Sequence, residues 1–333
     1  MKRLLALLLS LALMFVLLTG CSSASTTTAA TTAGTTTAAT TTAGKTLRIG
    51  VTLPTLAAVH FANQKYGYEQ AGRELGVEVT VVHAGGYENV EKQINQIQDF
   101  IAAGMDGIIV AAANADAVVK AEEEAIAKGI PVINVNNMSN SSQILAQIRS
   151  DDTAMGRMCA DLLAEKIGKK GNVILINAAA GSALTARGDS FKAQINEKYP
   201  DIKIIAEQNI APDAAKATAA MEDFLQTYPS IDGVFTWADS VGVPMAHVMK
   251  TRGKSIPLVT IDASNPDTRT AIKDGIIYGA VAQQPVTLGK LGVQTLVKII
   301  RKEPYEKKIF APIIAVTSEN INTLDLSGIV IPG

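Results

Sequence analysis

The chain has 333 residues, 47% hydrophobic, 18% charged and 5% aromatic, and its 30 basic against 31 acidic side chains leave a net charge of -1. This is a globular composition without the basic surplus that drives binding to nucleic acid or another polyanion. The averages combine three unlike segments: an apolar leader over residues 1–20, a segment over 21–44 that holds only Ser, Ala, Thr and Gly after Cys21, and residues 45–333, which at about 150 residues per domain suffice for two domains.

Met1, Lys2 and Arg3 supply a positive start, and the uncharged run Leu4–Leu18 is shorter than the roughly 20 residues that span a bilayer as a helix. Residues 1–20 therefore read as a signal peptide. The run ends in Leu18-Thr19-Gly20-Cys21, which resembles the lipobox of bacterial lipoproteins. That resemblance implies diacylation of Cys21, and two acyl chains are what stable anchoring requires. The expected location is extracytoplasmic, lipid-anchored to the outer face of the cell membrane. The segment after Cys21 repeats itself and offers no aliphatic side chain larger than Ala, so burial cannot offset its ordering entropy, and it reads as a tether. Cys159 lies in an apolar helical pattern and, with Cys21 acylated, has no disulfide partner; it is expected as a buried, inert thiol.

From Leu47 the chain alternates strand-like and helix-like patterns. Leu47–Leu53 is the first strand. Val90, Ile94, Ile97 and Ile101 recur at helical spacing, and Gly104 stops that helix before the strand Gly107–Ala111. The next helix closes at Lys128-Gly129, with Lys near the negative end of the dipole and Gly available for a left-handed cap. The strand Ile130–Val135 follows. The same grammar restarts at Asp151 with a helix to Ile167, then strands at Val173–Asn177, Ile202–Glu207, Val234–Thr236, Leu258–Ile261 and Ile277–Ala282, separated by helices. Such alternation predicts α/β architecture, two doubly wound parallel sheets covered by helices on both faces. Ligands of open parallel sheets sit beyond the carboxyl ends of the strands. The polar residues at those ends are Thr52, Thr55, Asn114, Asn136, Asn137, Arg187, Asp239, Asp262, Asn265 and Gln283.

Several chemistries lack their residues. His60, His83 and His247 are neither clustered nor at metal-ligand spacing, so no metal site and no cofactor is expected. The phosphate cradle G-x-x-x-x-G-K-[ST], the dinucleotide turn G-x-G-x-x-G and the nucleophile elbow G-x-S-x-G are all missing. An exported α/β chain without an activated nucleophile reads as a binder rather than an enzyme.

The motifs Ile49-Gly50-Val51-Thr52-Leu53-Pro54, Gly129-Ile130-Pro131-Val132-Ile133, Arg149-Ser150-Asp151-Asp152, Ala186-Arg187-Gly188-Asp189-Ser190-Phe191, Ile261-Asp262-Ala263 and Val281-Ala282-Gln283-Gln284-Pro285 follow one another across residues 47–319. In them the chain resembles the ribose-type periplasmic sugar-binding proteins, the solute-binding lipoproteins of ABC importers. The resemblance implies a type I flytrap, two lobes joined by a three-stranded hinge, with crossings near Ser150, Gln284 and Ile313. The lobes would be 45–150 plus 284–313 and 151–283 plus 314–333. The family's ligand positions fall on Phe61, Arg187, Asp262 and Gln283, which keep the expected residue types. Other positions depart: His60 replaces an aromatic residue, Asn136-Asn137 replaces an Asp-Arg pair, and Ala238 stands where an Asn precedes Asp239. Losing Asp and Arg together preserves the charge balance, and two carboxamides still donate and accept to vicinal hydroxyls. Trp237, at a strand end, is placed to stack on the C–H face of a sugar, although it and Phe61 are equally large enough to belong to the core.

The expected function is a monomeric receptor that closes over a monosaccharide or related polyol and delivers it to an ABC permease, with contact to the membrane only through its lipid. A sensing module docking on a membrane receptor for chemotaxis or a quorum-type signal is the alternative, and an enzyme on the same fold ranks below both.

Overall fold

The apolar runs of the first half become β1 (Arg48–Leu53), α1 (Val59–Leu75), β2 (Glu78–His83), α2 (Val90–Ala102), β3 (Gly107–Val110), α3 (Val119–Ala127), β4 (Val132–Val135) and β5 (Gln147–Arg149). The computed structural model describes residues 45–179 and 184–332; the leader, Cys21 and the tether lie outside the described residues. Ile97 and Ile101 of the expected apolar stripe are buried and Ile94 packs against the same cluster. The expected glycine stops take left-handed backbone, Gly104 at φ 62° and Gly129 at φ 81°.

The second half folds as α4 (Asp152–Lys166), β6 (Gly171–Asn177), α5 (Thr185–Lys198), β7 (Ile202–Asn209), α6 (Ala214–Thr227), β8 (Gly233–Thr236), α7 (Asp239–Thr251), β9 (Leu258–Ile261), α8 (Pro266–Lys273), β10 (Gly279–Ala282), α9 (Pro285–Ile300), β11 (Lys308–Phe310) and β12 (Ile314–Thr317). Asp151 caps α4 by accepting from the Ala154 N–H at 3.0 Å, which is why the pattern restarts there. Cys159 is fully buried in this half, and burial pushes its thiol pKa up.

Two six-stranded sheets result, in the orders β11-β5-β4-β3-β1-β2 and β12-β10-β9-β8-β6-β7. Their four-residue strands β3, β4, β8, β9 and β10 are buried at every position, as parallel strands covered on both faces must be. The chain passes between the sheets three times: from β5 into α4, from β10 into α9, and from β11 to β12. α9 returns to the first lobe and packs along α1. The expectation of parallel sheets needs one correction, because β12 runs antiparallel to β10, with Ala282 opposite Ile314 and Gly279 opposite Thr317. The other strands of that sheet point their carboxyl ends at the hinge. A strand that enters the lobe from the hinge has to run away from it.

Candidate functional site

A cavity of about 230 Å³ lies at the carboxyl ends of the two sheets. One lobe contributes His60, Phe61, Tyr87, Asn136 and Asn137; the other contributes Asp152, Arg187, Asp262 and Gln283, with Arg149 and Ser150 at the crossing between them. A larger cavity of about 490 Å³, lined by Lys166, Lys250 and Tyr278 among others, sits at the opposite end of the second sheet, where its parallel strands begin. It is walled by one lobe only.

The first lobe presents a chain of amides. Asn137 Nδ2 donates to the Ala112 carbonyl at 3.1 Å and to the Tyr87 hydroxyl at 3.3 Å. Asn136 Nδ2 donates to Asn137 Oδ1 at 2.9 Å, and Asn136 Oδ1 lies 2.9 Å from His60 Nε2. Asn136 directly follows β4 in left-handed backbone, φ 71°, a conformation Asn tolerates better than most residues. Phe61, 3% exposed, belongs to the core and lines the cavity at once; its ring meets His60 edge-on at 5.5 Å and Tyr87 at 6.4 Å.

The second lobe presents an ion-paired wall. Arg187 Nε donates to Asp152 Oδ1 at 2.7 Å and Nη1 to the Trp237 carbonyl at 3.1 Å, so the guanidinium is held in place. α4 and α5 must approach closely for this pairing. Gly156 permits it, since a Cβ there would run into the Arg187 carbonyl and Ser190 Oγ. Asp262, directly after β9, also has left-handed backbone, φ 84°. Its Oδ1 accepts from the Ala263 N–H at 2.8 Å, the Ser264 N–H at 3.1 Å and the Ser264 hydroxyl at 2.7 Å. Oδ2 lies 3.4 Å from Gln283 Nε2 and 3.5 Å from His60 Nδ1. Burial alone would raise the pKa of this carboxyl, but the contact with His60 and the bonds from Ser264 outweigh it and hold the group below the usual carboxylate range. Asp239 goes the other way: burial and repulsion from Asp262 raise its pKa against the opposing bond from Thr268.

Seven of the nine expected ligand residues line the cavity: His60, Phe61, Asn136, Asn137, Arg187, Asp262 and Gln283. Two are placed differently. The Trp237 ring turns into the core of the second lobe, where its N–H donates to the Ile210 carbonyl at 2.8 Å. Asp239 Oδ2 accepts from Thr268 at 2.9 Å at the start of α7 and does not line the cavity. Of the other strand-end residues, Thr52 is buried against Gln96, while Asn114 and Asn265 accept from backbone N–H groups at a turn and at the start of α8. Sequence reasoning missed Tyr87, Arg149 and Asp152. The signal for Tyr87 was Gly85-Gly86-Tyr87 just beyond the end of β2, and Arg149 and Asp152 stood in a recognised motif without a role. Among the described residues no cluster of His, Cys, Asp or Glu could hold a metal ion, and no helix is long and apolar enough to cross a membrane.

The cavity can therefore offer several donors and acceptors and the aromatic rings of Phe61 and Tyr87, with its charges largely paired. Residues 49–304 match the family described as periplasmic binding protein domain. The chain is 28% identical over 270 residues to the ribose import binding protein RbsB of Bacillus subtilis, covering 81% of this chain and 87% of that protein. It is 27% identical over 280 residues to the xylitol-binding protein of Mycolicibacterium smegmatis, covering 83% and 79%. A solved ABC transporter solute binding protein from Bradyrhizobium sp. BTAi1, with bound Bis-Tris, is 28% identical, has a TM-score of 0.80 and is matched over 86% of each chain.

Proposed function

Because this chain belongs to the periplasmic binding protein family, we propose that it is an extracytoplasmic receptor that closes over a monosaccharide or related polyol and delivers it to an ABC permease. The observation that carries this reading is the small polar cavity between the carboxyl ends of two sheets, lined from both lobes by side chains suited to vicinal hydroxyls. Its charges are mostly paired within the protein, Arg187 with Asp152 above all, which suits a neutral ligand rather than an ion. Relatives named for ribose and xylitol, and a neighbour holding the polyol buffer Bis-Tris, support the same class.

In this reading the lobes are 45–150 plus 284–313 and 151–283 plus 314–333, and the partition of strands between the two sheets supports those bounds. Phe61, Asn136 and Asn137 hold the ligand from one side and Arg187, Asp262 and Gln283 from the other, so full contact comes only on closure. Cys21 carries the lipid that keeps the receptor at the outer face of the membrane, where it works as a monomer. Cys21→Ala should release the protein or leave an uncleaved precursor; unchanged partitioning into detergent would remove the anchor from the proposal.

The deciding test is a thermal-shift screen over pentoses, hexoses and linear polyols, since a ligand that binds only the native state raises the melting temperature by mass action. At least one should do so and be recovered unchanged. A panel with no effect, or a converted product in mass spectrometry, overturns the receptor reading.

A further inference from the structure

His60 is the side chain that joins the two lobes across the cavity, and its hydrogen-bonding environment assigns its protons. The assignment starts at a backbone group. The Ala112 carbonyl can only accept, so the side-chain atom of Asn137 facing it is the donor Nδ2. Asn137 Oδ1 is thereby turned to Asn136, whose facing atom must be its own Nδ2, leaving Asn136 Oδ1 toward His60 at 2.9 Å. A carboxamide oxygen only accepts, so Nε2 of His60 carries a hydrogen. Nδ1 then holds a hydrogen only when the ring is cationic. This atom is buried without a hydrogen-bond partner and faces Asp262 Oδ2 at 3.5 Å.

A neutral ring would therefore set a lone pair against a carboxylate. Asp262 is a poor recipient for the missing proton, because its Oδ1 already accepts three hydrogen bonds from residues 263 and 264, all of which favour the ionised form. We propose that closure of the lobes is coupled to uptake of one proton by His60, which as an imidazolium bridges Asn136 of one lobe and Asp262 of the other. His60 is thus a positioning residue. Both ring nitrogens are committed to the protein, so a ligand meets the ring only through its face, and the proton uptake makes affinity depend on pH.

The other charged groups around His60 arrive from different elements. Asp239 of α7 adds a second negative charge on the Asp262 side. Arg187 of α5 is engaged by Asp152 of α4, Arg149 of β5 lies against the Phe310 ring, and Arg269 of α8 is bonded to the Ala263 and Ser264 carbonyls behind Asp262. The uncharged neighbours are Phe61, Tyr87 and Gln283. The Asp262 carboxylate is the charge that confronts Nδ1 at contact distance, with the three arginines each held by other partners.

The inference rests on the receptor reading for its affinity arm alone, so two arms are needed. Without ligand, small-angle scattering of the purified protein should show a more compact particle at pH 6 than at pH 8.5. His60→Gln should remove that response, as should Asp262→Asn; Asp239 still titrates in His60→Gln, at a pKa no longer held down by the imidazole, so a small residual response there measures Asp239. With ligand, D-ribose, D-allose and xylitol are titrated by calorimetry in buffers of different ionisation enthalpy. Binding of whichever is accepted should take up protons and tighten about tenfold from pH 8.5 to pH 6 in the wild type, and be nearly pH-independent in His60→Gln. A ligand-free size that ignores pH overturns the latch, as does a wild-type response retained in His60→Gln. If none of the three binds while the compaction persists, the latch stands and the choice of sugar is wrong.

Discussion

Glu122 of α3 is fully buried, and replacing it with Gln should change how stability depends on pH. Its Oε1 accepts from Asn134 Nδ2 at 2.7 Å, while Oε2 is buried without a partner. Burial raises its pKa from 4.5 to about 7, against the smaller opposing effect of bonds with Ser139 and Asn134. The folded protein thus keeps a proton that the unfolded chain releases. Stability from this site is complete below about pH 4.5, declines as pH rises to about 7, and is flat beyond. At about 1.4 kcal/mol per unit, the decline is on the order of 3 kcal/mol. Gln has the same shape and no proton to lose. Any fixed cost of its N–H is the same at every pH, so the informative quantity is the difference between variant and wild type in urea unfolding from pH 4.5 to pH 8.5. That difference should move in favour of Glu122→Gln by roughly 2 to 3 kcal/mol across the range. A difference that stays constant within about 0.5 kcal/mol means that Glu122 is ionised in the folded protein and the reasoning is wrong.

Arg187→Ala and Asp262→Ala each remove a charged partner, a contribution of about 1.5 to 3 kcal/mol, and should weaken sugar binding roughly 10- to 100-fold by calorimetry; affinities within about threefold of wild type place the ligand elsewhere. Gly156→Ala forces α4 away from the Arg187 carbonyl and should cost about 1 to 3 kcal/mol of stability while weakening binding. An unchanged melting temperature means that the helices have room to give.

The strands were legible because fully buried parallel strands leave short apolar runs, and Ile130–Val135 or Leu258–Ile261 in the sequence hardly differ from β4 and β9. β5, β11 and β12 left no such mark. They are three or four residues long and partly exposed, and their bonds come from segments far away in the chain, as between Ile309 and Ile148. Site residues were visible where their position follows from strand direction, as with Asn136 and Asp262. They were not where two helices decide the outcome: Asp152 reaches Arg187 only because α4 packs on α5. Trp237 shows the opposite limit. Its place after β8 was readable, but which way its ring turns depends on the Ile210 carbonyl that receives its N–H.

Asn136 and Asp262 occupy corresponding places, each directly after the third strand from its sheet's hinge-side edge, and both have left-handed backbone. For a residue with a Cβ that conformation costs roughly 1 kcal/mol, less for Asn and Asp whose side chains bond locally. The two sites differ in what offsets the cost. Asp262 receives three hydrogen bonds from residues 263 and 264, so its carboxylate supports the turn it sits in. Asn136 instead spends its side chain on Asn137 and His60, across the cavity wall, and supports no turn of its own. Glycine at each position should separate these roles. Asp262→Gly should lower stability, because relief of the backbone is smaller than the loss of charge-assisted bonds of about 1.5 to 3 kcal/mol each way. Asn136→Gly should leave stability unchanged or raise it by up to about 1 kcal/mol, yet weaken sugar binding about tenfold, since His60 loses the acceptor that orients it. Urea unfolding and calorimetry on the two variants test both statements. If Asn136→Gly is destabilised by more than about 1 kcal/mol, the carboxamide is there to hold the loop rather than to serve the ligand.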